Sequence, residues 1–168
     1  MTRAVYINIK LVNHQYSISR MTITQAVPDD LEALAPLFDA YRVFYQHPSD
    51  LPGATAFLSE RITSHDSVIY IAWSDENIPM GFVQLYPLLS STRMKRIWLL
   101  NDLYVAPAFR GLKVSVKLID RAKQLTQETG AASLLLETAK TNTIGNSLYQ
   151  RTDFVLDTDH NYYSWRSL

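Results

Sequence analysis

Three stretches rich in β-branched and aromatic residues follow one another through the middle of the chain: Val68 to Trp73, Met80 to Leu89 and Arg96 to Val105. Only Asp75-Glu76-Asn77 and Ser90-Ser91-Thr92 lie between them, so the three predict an antiparallel meander. The period then changes. Val114, Leu118, Ala122 and Leu125 form one helical stripe within Leu112 to Thr129, which Gly130 can end. Ala132 to Thr138 is a continuous apolar run, as expected of a strand covered on both faces. Asn142 to Arg151 reads as another helix, and Phe154 to Leu156 and Tyr162 to Trp165 as two last strands. Ahead of the meander, Ile23 to Val27 looks like a short strand. Asp29 and Asp30 after Pro28 start a helix through Leu31, Leu34, Leu37, Phe38 and Tyr41. Pro36 inside it predicts a kink or a restart. Pro48 to Gly53 punctuate, and Phe57, Leu58, Arg61 and Ile62 suggest a second short helix.

A chain of 168 residues with 47% apolar composition fits one domain with a real core. Sixteen Lys plus Arg against sixteen Asp plus Glu leave no net charge, so the footprint of a nucleic-acid binder is missing and only a local basic site stays open. Cysteine is absent, which removes disulfides, thiolate metal sites and cysteine nucleophiles. The four histidines stand singly, so no metal is expected. The five glycines are too widely spaced for a dinucleotide fingerprint, a P-loop or a nucleophile elbow. No apolar stretch approaches the ~20 residues that span a bilayer, and no membrane partner is expected. Residues 1 to 20 alternate Ile7, Ile9 and Leu11 with Asn8 and Lys10. They read as an edge strand or tail, or as leader residues ahead of a domain at 21–168. Asn8 and Lys10 interrupt any signal-peptide core, so no targeting segment is read and a cytoplasmic protein is expected.

One stretch is organised for chemistry. A strand ending Asn101-Asp102-Leu103-Tyr104-Val105 meets Ala106-Pro107-Ala108-Phe109 and then Arg110-Gly111-Leu112-Lys113-Val114-Ser115 at a helix start. Free amides and the positive end of a helix dipole coincide there, a good place for phosphate, and Arg110 and Lys113 add charge. Taken alone, the stretch is also an ordinary strand-to-helix turn with solvated basic residues. Leu103-Tyr104-Val105-Ala106-Pro107 before Arg110-Gly111, the strand Leu134 to Thr138, and Asn142 seven residues before Tyr149 occur in one order. Over residues 21–168 the chain therefore resembles the GNAT (general N-acetyltransferase) superfamily, and locally its spermidine/spermine N-acetyltransferase-like members.

The resemblance implies an α/β (α+β) fold: a mixed, mostly antiparallel twisted sheet of about six to seven strands flanked by about four helices. It implies acetyl-CoA as cosubstrate and direct transfer of the acetyl group to a primary amine of a small molecule (polyamine or amino-acid-like) or peptide. The alternative is a non-catalytic acyl-CoA-binding module. Leu103, Tyr104 and Val105 would hold the pantetheine arm, and Arg110, Gly111, Leu112, Lys113, Val114 and Ser115 the pyrophosphate. Asn142 would contact the arm or cap its helix, and Tyr149 would contact the cofactor and protonate the departing thiolate, or pack the core. Lys113 and Ser115 depart from the family pattern, which has Gly and Gly or Ala at those positions. The related pair Glu-Asp reads Asn101-Asp102 here, so the base would be Asp102, Glu137 or a water chain. Tyr41 and Tyr45, clustered with Phe44 and His47, are the expected acceptor wall or else core. A homodimer is expected, since Tyr162, Tyr163 and Trp165 could pair across copies or form an edge for another partner.

Overall fold

The computed structural model describes residues 21 to 167, so the expected edge strand or leader at residues 1 to 20 lies outside the described residues. Five strands form one sheet in chain order: β1 (Thr22–Gln25), β2 (Val68–Trp73), β3 (Pro79–Ser90), β4 (Lys95–Val105) and β5 (Leu134–Leu136). The first four pair antiparallel, and the predicted meander is β2 to β4. β5 pairs parallel to β4, which requires the crossover helix α3 (Val114–Glu128).

The sheet has a core on each face. Helices α1 (Leu31–Phe44) and α2 (Leu51–Ser64) set Leu34, Phe38, Leu58 and Ile62 against Ile69, Ile71, Phe82 and Tyr104. On the other face α3 sets Val114, Leu118, Ile119 and Ala122 against Tyr70, Val83, Leu85, Trp98 and Leu100, joined by Leu148 of α4 (Thr143–Arg151). This is the expected α+β class, with fewer strands than expected.

The two proline signals fall at different places in the helices. Pro36 does not restart the helix: α1 runs through it, with Pro36 exposed, so the Glu32 carbonyl that loses a partner faces water. The punctuation at Pro48 to Gly53 contains the start of α2. Asp50 caps it by accepting from the Gly53 amide at 3.0 Å, and Pro52 sits in the first turn, where its missing N–H is not needed.

The two C-terminal strands do not form. Lys123 of α3 donates to the Thr152 carbonyl and pairs with Asp153, and Phe154 packs edge-on against Tyr149. Asp157 then accepts from the amides of Asp159 and His160, a local turn that competes with extended pairing. Beyond Phe154 the large apolar side chains are exposed, Tyr163 to 90%. Among the described residues no strand lies on the outer side of β5, which is three residues long, and Leu135 is half-exposed rather than covered on both faces.

Candidate active site

One irregularity in β4 creates the site. Leu85 pairs with Leu100 but Gln84 pairs with Asp102, so Asn101 is an extra residue, a β-bulge. Before it, Trp98 and Leu100 face α3; after it, Leu103 and Val105 take over that face. Asp102 and Tyr104 are thereby turned toward α1, where Tyr104 joins the core with Tyr41. Without the bulge a strict alternation would put Asp102 under α3.

Asp102 is 6% exposed, with Asn101 Nδ2 donating to its Oδ2 at 3.0 Å and the Tyr41 phenol facing it. Burial outweighs these two donors and raises its pKa above the ordinary carboxylate value. Burial and then the charge of Asp102 push the Tyr41 phenol strongly up, with Tyr45 and Tyr149 adding to the effect. Tyr86, half-buried and near Asp102, is raised to about 12, chiefly by burial. A carboxylate shifted toward neutrality, surrounded by phenols that stay protonated, is suited to take a proton from an ammonium. Glu137, the other candidate base, lies exposed just past β5.

The edge of β4 beside Asp102 is open. β5 pairs with Trp98, Leu99 and Leu100, so among the described residues no strand pairs with Asn101 to Val105 on that side. The Ala106 amide bonds the Met80 carbonyl, so by alternation the amides of Leu103 and Val105 point away from β3 into this gap. Arg110 Nε donates to the Val105 carbonyl at 3.2 Å, and its guanidinium lies over the Phe44 ring. The gap thus leads from Asp102 to the turn at the head of α3.

That turn has the geometry of an anion cradle. Gly111 (φ +81°) and Lys113 (φ +61°) both take left-handed backbone, and the first bond of α3 runs from the Lys117 amide to the Lys113 carbonyl. The amides of Val114, Ser115 and Val116 therefore have no partner within the helix, and no side chain caps them. Lys113 shows why glycine suits this position: an L residue there costs about 1 to 2 kcal/mol. Its side chain is exposed, and Ser115 is half-buried in the first turn of α3.

On the far side of the gap, Asn142 accepts from the Gly145 amide at 3.0 Å and donates to Thr138 Oγ1 at 3.0 Å, the capping role weighed from sequence. Gly145 must stay small, because a Cβ there would fall on the Asn142 amide. Gly145→Ala should cost about 1 kcal/mol through loss of the cap, read as a lowered urea midpoint. Tyr149 is half-buried on α4; burial, then Tyr45, raises its phenol. It serves the core through Phe154 and also lies within electrostatic reach of Tyr41 and Tyr45.

Between α1 and α2 a cavity of about 610 Å³ is lined by Phe38, Tyr41, Tyr45 and Phe57, with Arg42, His47 and Asp50 at its polar parts. Tyr41 is shared by this cavity and the Asp102 cluster, and Tyr45 also lines the cavity. Phe38, Phe57, Arg42 and Asp50 were not singled out from sequence; the step of four from Phe38 to Arg42 on one helical face was the available signal. Among the described residues no group of three or more His, Asp or Glu is placed to hold a metal, and no helix is long and apolar enough to cross a membrane.

Comparison with known proteins gives consistent results. The sequence model of the Acetyltransferase (GNAT) family matches residues 34–154. The uncharacterized N-acetyltransferase YhfO of Bacillus subtilis (strain 168) is 44% identical over 143 residues, covering 85% of this chain and 95% of that protein. The crystal structure of a probable acetyltransferase superposes with TM-score 0.84 at 38% identity, over 88% of this chain and 98% of that one. A predicted acetyltransferase from Clostridium acetobutylicum, crystallised with acetyl-CoA, shares the fold at TM-score 0.69 and 16% identity, over 86% of this chain and 96% of that one.

Proposed function

The chain belongs to the acetyltransferase (GNAT) family, and on that footing we propose that it passes an acetyl group from acetyl-CoA directly to a primary amine with Asp102 as base and Tyr149 as acid. The observation that carries the reading is the continuity of the open β4 edge with the free amides at the head of α3, with Asp102 turned to the opposite side by the bulge. The diphosphate would rest on the amides of residues 111–116, aided by Arg110 and Lys113. The pantetheine arm would follow the amides of Leu103 and Val105, and an amide of β4 would stabilise negative charge on the thioester oxygen. Tyr104, buried under α1, supports that edge from beneath.

An alkyl ammonium of pKa about 10.4 must lose its proton before its nitrogen can attack the thioester carbon. Asp102 receives that proton. As the C–N bond forms and the C–S bond breaks, the Tyr149 phenol gives its proton to the departing thiolate, and the proton that the attacking nitrogen sheds as the amide forms restores the phenol through water. No covalent acyl-enzyme is needed, in keeping with a chain that has no cysteine. The reading takes residues 21–168 as the working domain of a cytoplasmic enzyme. It also includes a homodimer, which the outer edge of β5, unpaired among the described residues, and the exposed Tyr162, Tyr163 and Trp165 support.

Mixing the protein with acetyl-CoA and a panel of amines should release free CoA thiol in step with acetylated amine. Binding of acetyl-CoA without release for any acceptor class would instead favour the non-catalytic acyl-CoA-binding module.

A further inference from the structure

Resting on the acetyl-transfer reading above, we infer that the acceptor is a primary amine with a single positive charge and a compact aromatic or apolar body, and not a polyamine or another multiply charged amine. The cavity between α1 and α2 is walled by four rings. Phe38 and Phe57 stack at 5.5 Å between centroids and 16° between planes, and Tyr41 meets Tyr45 edge-on at 5.0 Å. Stacked and edge-on rings of this kind extend naturally to one more ring placed between them.

The charges weigh against the alternative. Arg42 and Asp50 both line the cavity, so its formal charge with neutral His47 is zero. Asp50 is engaged through Oδ1 in capping α2. Asp39, the neighbouring carboxylate, is held by Ser49 Oγ at 2.6 Å, by the Asp50 amide at 2.7 Å and by Arg42 at 3.6 Å. One ammonium has a partner, Asp102 beyond Tyr41. A second or third ammonium would lose part of its water among rings, with Asp50 Oδ2 the one lining carboxylate oxygen to receive it and the Arg42 guanidinium of the same wall repelling it. Cation–π attraction at a partly open wall is weaker than that desolvation.

Calorimetric titration of the CoA-loaded full-length protein with 2-phenylethylamine and with spermidine tests this. Phenylethylamine should bind at least about tenfold more tightly, and Phe57→Ala should weaken it about tenfold while changing spermidine less than about twofold. Phe57→Leu, which keeps the apolar volume, guards against a folding defect and should fall between wild type and Phe57→Ala for phenylethylamine. Spermidine binding as tightly as phenylethylamine, or both Phe57 variants weakening the two amines equally, overturns the inference. The same mixtures with acetyl-CoA separate the two claims. Preferential binding of phenylethylamine without thiol release contradicts transfer and leaves the acceptor class standing. Release with spermidine preferred does the reverse.

Discussion

Tyr149→Phe should lower turnover about 10²- to 10⁴-fold while leaving the affinity for CoA nearly unchanged. The substitution removes one oxygen and keeps the ring that packs edge-on against Phe154, so α4 and its cap at Asn142 should persist. Burial holds this phenol above its ordinary pKa, which keeps the proton in place through neutral pH until a thiolate appears beside it. Pre-steady-state mixing locates the effect: with Phe at this position the thiolate has to wait for a proton from water, and the chemical step itself slows. A rate equal to wild type removes Tyr149 from the mechanism and leaves it as a core residue.

Asp102→Asn should reduce turnover by a similar factor and at the same time make the protein more stable at neutral pH. The sign follows from the direction of its shift. Burial raises the folded-state pKa of Asp102 above the unfolded value, so the native state holds this proton more tightly. Below the unfolded pKa both states are protonated and there is no penalty. As pH rises through the folded pKa the native state must bury a charge, and the penalty is fully present above it. Asn carries no charge and can still accept from Asn101. Its melting temperature should therefore exceed wild type at pH 7, with the difference vanishing in acid near pH 4. Kinetics add a second readout. Wild type accepts the ammonium and deprotonates it in place, whereas the variant depends on amine already neutral in solution. Its kcat/KM should rise about tenfold per pH unit below the amine pKa of about 10.4, and the acid limb due to Asp102 should be absent.

The sequence disclosed the parts whose signals are local. The meander and the stripe of α3 are periodic, and the turn from Val105 to Ser115 carries its glycine, its cations and its helix start in consecutive residues. The bulge was harder to see, although a trace of it is there. Apolar residues at Trp98 and Leu100 resume at Leu103 and Val105, a step of three inside a strand of period two. That single missed step decides which helix Asp102 faces. The meaning of the prolines depends on position: Pro52 lies in a first turn capped by Asp50, and Pro36 sits exposed inside a helix that does not restart there. The C-terminal strands were read from β-propensity alone, which describes a residue's fit to a neighbouring strand and cannot supply one. Asp157 and its turn decide that segment instead. The cavity is a property of two helices packed together, and Tyr41, Tyr45 and His47 are the part of its lining that clusters in the sequence.

Amide-resolved NMR during titration with CoA addresses the cradle most directly. Signals of Gly111 to Val116 and of Leu103 and Val105 should move together and saturate at one equivalent, while β1 and β2 stay still. A saturating CoA complex in which the amides at the head of α3 keep their free positions would contradict the placement of the diphosphate and, with it, the route from that turn to Asp102.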